Sequence, residues 1–163
     1  MGDFFQNGVI TTFHDLSNRT VDELESDISG WAKTRPISLL IPALYSEFEG
    51  DAIPNIISEL RKVPYLDEII VGLDNADSEQ FTKARKAFHG LDARCRIIWN
   101  DGPRMRELQK ELTQHNLGPL ERGKGANVWY AMGYFLASGR GEVLGMHDAD
   151  IVTYSRDLLA KLL

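Results

Sequence analysis

Residues 37–47 read Ile37-Ser-Leu-Leu-Ile-Pro-Ala-Leu-Tyr-Ser-Glu47, and this stretch decides the fold class. Its first five residues form a short, nearly continuous apolar run, which is typical of a strand buried on both faces of a sheet. We expect Pro42 to end the strand. The polar side chains that follow it therefore lie where the chain leaves the sheet.

Three more apolar runs follow along the chain, and each of them also ends in polar residues. We predict strands over 67–73, 96–99 and 142–147, followed by Asp74-Asn75, Asn100-Asp101-Gly102 and His147-Asp148-Ala149-Asp150. Helical periodicity appears between these strands, with helices predicted from Thr20, from Asn55, from Asp77 or Ser78 to Phe88, over 104–116, over 125–137 and from Ser155. This alternation predicts an α/β fold with a mostly parallel sheet and helices on both faces. Ligands of such sheets bind beyond the carboxyl ends of the strands.

Composition limits the classes of protein that fit. The 163 residues include 18 Lys and Arg and 24 Asp and Glu, and the formal charge of −6 excludes a strongly basic nucleic-acid binder. The length predicts a single domain over 1–163. Cys95 is the only cysteine, which excludes an internal disulfide and favours a reducing, cytoplasmic compartment. No apolar run approaches the ~18 residues of a membrane span.

The triplet Asp148-Ala149-Asp150 is the sharpest chemical feature. Two carboxylates spaced by one residue at a strand end can point the same way and offer hard oxygen ligands to Mg²⁺ or Mn²⁺. The alternative is that they cap the following turn. His147, directly before the triplet, can add a ligand, but a histidine satisfied by the backbone is the favoured interpretation.

The segment Gly123-Lys124-Gly125 opens a predicted helix. Its glycines let a ligand approach the backbone closely, and both the ammonium and the helix amino end favour a phosphate. The spacing is not that of a Walker loop. The alternative is a solvated helix start. Four aromatic residues of this helix are expected in the core rather than in a stacking platform: Trp129, Tyr130, Tyr134 and Phe135.

The last predicted helix carries a row of leucines, Leu158, Leu159, Leu162 and Leu163. One interpretation is that this row packs back on the sheet. The other is that the chain has been cut from a longer protein, which leaves the row exposed. An exposed row of this kind seeks a partner and predicts a homo-oligomer.

Taken in order along the chain, these motifs resemble the nucleotide-binding half of GT-A glycosyltransferases. Within that group, the chain most resembles the retaining glucosyl-3-phosphoglycerate synthase family, with mannosylglycerate-type enzymes close behind. The likeness rests on the polar residues after the first, second and fourth strands and on the glycine-flanked lysine. It extends to the lead-in 8–14 and to the tail 151–156.

The resemblance implies a role for each matching position. Pro42, Ala43, Leu44 and Glu47 would line the uridine site, and Asp74 would lie near the uracil. Lys124, with Gly123 and Gly125 beside it, would face the diphosphate or the sugar. Asp148, Ala149 and Asp150 would hold the ribose side and the cation, with Asp150 as the direct metal ligand. Lys124, Asp148 and Asp150 would thus be the catalytic set.

The family's activity would be metal-dependent, retaining transfer of a sugar, glucosyl first of all. The donor would be a UDP-sugar, the acceptor 3-phosphoglycerate or a related small phosphorylated or carboxylate compound, and the route front-side, without a covalent intermediate. The family has a further C-terminal part, so the chain is expected to be the N-terminal part of a longer enzyme.

Two other classes of function compete with this interpretation. One is a nucleotide-binding fragment or regulatory domain without catalysis of its own, docked on a partner through its leucines. The other is a magnesium-dependent, receiver-like domain, which normally has an acidic residue directly after the first strand. Pro42 and Ala43 stand there instead and argue against that class.

Overall fold

The computed structural model describes residues 19–91 and 94–163, and in them an all-parallel sheet of four strands has helices against both faces. The elements follow in the order α1 (Val21–Ala32), β1 (Ile37–Leu44), a 3₁₀ turn (Tyr45–Glu49), α2 (Ala52–Leu60), β2 (Leu66–Asp74), α3 (Ser78–Ala87), β3 (Cys95–Trp99), α4 (Pro103–Gln114), α5 (Lys124–Ser138), β4 (Val143–Met146) and α6 (Arg156–Leu162). The predicted fold class is confirmed. The lead-in 8–14 lies outside the described residues.

The strand order is β3-β2-β1-β4. The chain builds outward from β1 to β3 and then returns to add β4 on the other side of β1. The order therefore reverses between β1 and β4, and a parallel sheet binds ligands at such a switch point. The two stretches that leave the sheet there are 45–49 and 147–150.

The core divides between the two faces of the sheet. The larger half packs α1, α2 and α6 against β1 and β2 around Leu39, Ile41 and Ile69, which are at most 1% exposed. On the opposite face α5 packs Ala131 and Phe135 against Leu40 and Ile70. Both faces of β1 and β2 are thus covered, which explains their nearly continuous apolar sequence.

Pro42 does not end the first strand, contrary to expectation, because β1 continues to Leu44. The His147 amide donates to the Leu40 carbonyl, so the backbone of Leu40 faces β4. Pro42, two residues further, faces the same side beyond the last residue of β4. Its missing N–H therefore removes no hydrogen bond from the ladder.

The row of leucines at the end of the chain is not one exposed face. Leu159 is completely buried in the larger core, and Leu163 packs on it as well. Leu158 and Leu162 are 37% and 49% exposed. The interpretation that α6 packs back on the sheet is correct for half of the row, and the four-leucine docking face predicted as the alternative is wrong.

The aromatic residues of α5 are only partly in the core. Phe135 is buried and Tyr134 packs beside it, as expected. Trp129 is 45% exposed, with its ring edge-on to Tyr130 at 5.2 Å. Among residues 19–91 and 94–163, no helix combines the length and the apolar character that crossing a membrane requires.

Candidate functional site

A cavity of about 300 Å³ opens at the carboxyl edge of the sheet, where the strand order reverses. The ends of β1 and β2, the start of α5 and the loop after β4 surround it. Its wall is formed by Pro42, Ala43, Leu44, Glu47, Asp74, Asn75, Gly123, Lys124, Asn127, Asp148, Ala149 and Asp150. The part of the wall that β1 forms carries apolar side chains, and other parts carry carboxylates and an ammonium.

The structure brings together ten of the eleven residues that the sequence singled out. Pro42, Ala43 and Leu44 come from β1, and Asp74 is the last residue of β2. Gly125 is the exception, since its position in the first turn of α5 is exposed and outside the cavity wall.

Lys124 lies on the cavity wall and pairs with the triplet. Its Nζ atom is 2.5 Å from Oδ1 of Asp148, and both side chains are about half exposed, at 60% and 48%. Gly123, directly before it, has a φ of +140°, a conformation that favours glycine. The first residue of α5 therefore aims a cation at the loop after β4.

Glu47 connects the end of β1 to the acidic side of the cavity. Its Oε2 atom accepts a hydrogen bond of 3.0 Å from the Leu44 amide, which folds the 3₁₀ turn back on the strand. Burial is the main cause that raises the pKa of Glu47, and the carboxylates of Asp150 and Asp148 raise it further. This acidic side therefore favours a cation.

The carboxylates of the cavity fit a divalent cation whose coordination is completed by a bound phosphate and by water. In the described part of the chain, no three His, Cys, Asp or Glu side chains come close enough to hold a metal alone. Asp148 and Asp150 supply two carboxylates on one cavity wall. Mg²⁺ usually takes one or two carboxylates together with substrate phosphates and water, which is the arrangement available here.

His147 is a structural residue, as the sequence favoured. It is 7% exposed, its Nδ1 atom lies 3.0 Å from the Asp148 carbonyl oxygen, and its ring packs against Tyr154 at 4.5 Å. Burial lowers its pKa, so the imidazole stays neutral near pH 7. The ring thereby positions the backbone of the acidic triplet.

Sequence reasoning missed Asn127, which joins α5 to two strand ends. Its amide nitrogen donates to the Gly72 carbonyl at 2.9 Å and reaches the Ala43 carbonyl at 3.5 Å, and the residue is 3% exposed. A Cβ atom on Gly72 would lie 1.9 Å from the Asn127 side-chain oxygen. A glycine inside a buried strand was the available signal of this close approach.

Arg122 was also missed as a structural link. Its Nη2 atom lies 3.2 Å from Asp74 and 2.6 Å from Asp101, which follows β3. The contact with Asp101 is the main cause that raises the pKa of Arg122. The sequence showed these residues but not that they meet, because 48 positions separate Asp74 from Arg122.

A larger groove, of about 670 Å³, lies between α3 and β3. Its wall contains Phe81, Phe88 and several cationic side chains, and it is built from the flank of α3 and the outer strand rather than from strand ends. It lacks the convergence of carboxylates, ammonium and glycine backbone that the smaller cavity has, so the smaller cavity is the candidate site.

Two curated relatives match the chain over practically its whole length. A glucosyl-3-phosphoglycerate synthase of Persephonella marina is 46% identical over 163 residues, covering 100% of this chain and 40% of the relative. A glucosyl-3-phosphoglycerate synthase of Methanococcoides burtonii is 36% identical, covering 99% of this chain and 39% of the relative. The chain thus spans about 40% of the length of these relatives. No family model matches it.

Solved structures share the fold. A Mycobacterium tuberculosis glucosyl-3-phosphoglycerate synthase, crystallised with Mn²⁺, UDP and glucosyl-3-phosphoglycerate, is 23% identical at a TM-score of 0.55, covering 91% of this chain and 43% of its own. The same coverage, identity and TM-score hold for a complex of that enzyme with Mn²⁺, UDP-glucose and phosphoglyceric acid. At this identity the likeness shows a common GT-A fold.

Proposed function

We propose that this chain is the donor-binding part of a glycosyltransferase. The premise is its similarity to glucosyl-3-phosphoglycerate synthases, which extends over its whole length in sequence and is also seen in the fold. The donor is a UDP-sugar, UDP-glucose first of all, and the acceptor is 3-phosphoglycerate or a related small phosphorylated or carboxylate compound. The observation that carries the proposal is the cavity at the switch point, where one ammonium faces a set of carboxylates.

The apolar side of the cavity suits the uridine. Pro42, Ala43 and Leu44 offer backbone and short side chains against which a nucleoside can pack. Glu47, fixed by its bond to the Leu44 amide, offers a carboxylate oxygen to a ribose hydroxyl. Asp74, at the end of the neighbouring strand, would lie at the base.

The opposite side suits the diphosphate and the cation. Lys124 supplies a positive charge, and Gly123 lets the backbone at the start of α5 approach a phosphate. Asp150 is assigned as the direct metal ligand, with Asp148 and Ala149 toward the ribose and the sugar. The cation would be Mg²⁺ or Mn²⁺, and when bound it stabilises the negative charge on the departing UDP.

Lys124 contributes to the same stabilisation without donating a proton. An ammonium held at the diphosphate balances the charge that develops as the bond between sugar and phosphate breaks. The pair between Lys124 and Asp148 opens when the ammonium turns to the phosphate, which leaves Asp148 able to accept hydrogen bonds from the sugar-nucleotide. Retention of configuration by a front-side route belongs to the same proposal.

The second candidate function is nucleotide binding without transfer by this chain alone. It is favoured by one observation, that the chain spans about 40% of its curated relatives. We accordingly assign residues 1–163 as one nucleotide-sugar-binding domain of a longer enzyme. A homo-oligomer and a cytoplasmic location stay predictions from the sequence.

The experiment is a calorimetric titration of the 163-residue chain with UDP-glucose, with and without Mn²⁺. GDP-glucose is the matched control, because it changes the base and keeps the diphosphate and the sugar. We expect binding of UDP-glucose that requires the cation and weaker binding of GDP-glucose. Equal or absent binding of both donors would refute the proposal.

A transfer assay with 3-phosphoglycerate, run beside light scattering, separates the two candidates. Binding without turnover identifies the nucleotide-binding part of a longer enzyme. Turnover by the chain itself would mean that the acceptor is held by residues within these 163. Light scattering reports the oligomeric state in either case.

A further inference from the structure

Arg122 joins two neighbouring strand ends through a single nitrogen. Its Nη2 atom contacts Oδ1 of Asp74 at 3.2 Å and Oδ1 of Asp101 at 2.6 Å. The two carboxylate side chains are only 8% and 9% exposed, whereas the arginine side chain is 66% exposed. Two nearly buried like charges thus share the Arg122 guanidinium, which offsets their mutual repulsion. Arg106 adds a longer contact, with its Nη2 atom 3.9 Å from Oδ1 of Asp101.

The carboxylate of Asp101 belongs to a frame that is fixed without Arg122. Its Oδ2 atom accepts a 3.1 Å hydrogen bond from the Ala76 amide, and the Trp99 indole donates to the Ala76 carbonyl at 2.8 Å. Trp99 also stacks on Phe81 of α3 at 4.7 Å. The loops after β2 and β3 are therefore already joined to each other.

The segment 118–123 has few anchors of its own. Its amides donate no backbone hydrogen bond to any residue that the structure describes. Leu120 is fully exposed, and Glu121 is exposed as well. Arg122 supplies the ionic contact that connects this segment to the frame.

The same segment carries the cation of the candidate site. Gly123, at a φ of +140°, turns the chain between Arg122 and Lys124. The two side chains consequently reach opposite parts of the carboxyl edge, Arg122 toward β2 and β3 and Lys124 toward the loop after β4. The placement of Lys124 thus depends on where the chain before it is held.

We propose that Arg122 is a positioning residue, whose ties to Asp74 and Asp101 hold Gly123 and Lys124 over the donor cavity. It acts on the ligand through the backbone of the next two residues. The identity of that ligand, a sugar nucleotide, rests on the proposed function. The structural part of the proposal, that Arg122 holds this segment through Asp74 and Asp101, rests on the observed contacts alone.

The test compares Arg122→Ala with the double variant Arg122→Ala/Asp101→Asn. Arg35→Ala is the matched control, because it removes the same charge from an exposed residue before β1, at the other edge of the sheet. Three quantities are measured: urea unfolding, UDP-glucose and uridine binding with Mn²⁺, and exchange of the Asn127 amide by NMR. That amide donates to the Gly123 carbonyl at 3.0 Å and reports on the first turn of α5.

We expect Arg122→Ala to speed exchange of the Asn127 amide and to weaken UDP-glucose binding, each by roughly tenfold, with a smaller effect on uridine. The double variant removes the repulsion between the two carboxylates, so it should regain the stability lost in the single variant. It should not regain slow exchange or UDP-glucose affinity, because the tie stays absent. Arg35→Ala should match the wild type in all three measurements.

Unchanged exchange of the Asn127 amide in Arg122→Ala would show that the contacts of Arg122 with Asp74 and Asp101 do not hold the start of α5 in place. Faster exchange with unchanged UDP-glucose affinity would overturn the positioning role, as would recovery of affinity in the double variant. If the wild type bound no UDP-glucose, the proposed function would fail. The exchange rates of the Asn127 amide would then still test, without a ligand, whether the contacts of Arg122 hold the first turn of α5.

Discussion

Asp150 combines exposure with a place on the cavity wall, which makes its role separable from the stability of the fold. We predict that Asp150→Ala abolishes cation-dependent binding of UDP-glucose. The stability should stay the same or rise slightly, because the Asp150 carboxylate adds to the causes that raise the pKa of Glu47. Calorimetry with Mn²⁺ and a thermal unfolding scan measure the two effects.

Two further variants control this prediction. Asp148→Asn should weaken the cation effect less, since Asp148 is assigned to the ribose and sugar side. Asp67→Ala, exposed at the start of β2, should have no effect on donor binding. Normal Mn²⁺-dependent binding by both Asp150→Ala and Asp148→Asn would show that the metal assignment is wrong.

Lys124 is a point charge at a helix start, so its effect should depend on the charge of the ligand. We predict that Lys124→Ala weakens UDP-glucose binding by roughly 10- to 100-fold, the cost of one charged hydrogen bond. Uridine, which has no phosphate, should lose far less. Parallel titrations of the two ligands measure the difference.

Lys110→Ala is the control for Lys124→Ala, because it removes the same charge from an exposed position on α4. It should bind both ligands as the wild type does. An equal loss for UDP-glucose and uridine in Lys124→Ala would mean that the substitution disturbs the loop rather than a phosphate contact.

At the scale of elements, the contact between β2 and α5 determines how the cavity is formed. Asn127 fills the space over Gly72 and donates to its carbonyl oxygen, so the helix lies directly on the strand end. We predict that Gly72→Ala lowers the free energy of unfolding by about 1–3 kcal/mol, the usual cost of overpacking. Urea unfolding measures it.

The cause of that loss can be isolated by a second substitution. In an Asn127→Ala background the clash disappears, so Gly72→Ala should cost clearly less there than in the wild type. Gly133→Ala in α5 is the control, since no atom outside the neighbouring backbone of α5 lies within 4 Å of its added Cβ. It should be neutral or stabilising by about 0.5–1 kcal/mol. Additive losses for Gly72 and Asn127 would refute the contact.

At the scale of the whole molecule, His147 makes stability depend on pH. Burial lowers its pKa in the folded chain below the ordinary 6.5. At pH values between the lowered pKa and 6.5, the unfolded chain therefore binds more protons than the folded chain. The stability that the neutral imidazole contributes is therefore present above pH 6.5 and is lost as the pH falls through the lowered pKa. Urea unfolding at pH 7.5 and at pH 5.5, values on the two sides of about 6.5, measures this loss.

His147→Phe keeps an aromatic ring against Tyr154 and cannot be protonated, so it should lose less stability between the two pH values than the wild type. His115→Gln, at an exposed position after α4, should behave like the wild type. An identical pH dependence in the wild type and in His147→Phe would exclude His147 as the cause.

The sequence by itself determined the elements and the edge of the sheet at which the chemistry lies. Apolar runs such as 37–41 must be buried on both faces, and the polar residues after parallel strands must meet at one edge. For this reason Glu47, Asp74 and the two aspartates of the triplet could be predicted to share a cavity without knowledge of the strand order. The site roles of Pro42, Ala43 and Leu44 came instead from the resemblance to a known family.

Only the tertiary structure decided which of these residues meet, because that depends on strand order and register and not on local periodicity. The order β3-β2-β1-β4 puts the switch point between β1 and β4 and brings Lys124 to Asp148. It also lets Pro42 lie inside a strand, beyond the end of β4. The pairs of Arg122 with Asp74 and of Asn127 with Gly72 join positions 48 and 55 residues apart, and no pattern within one element encodes them.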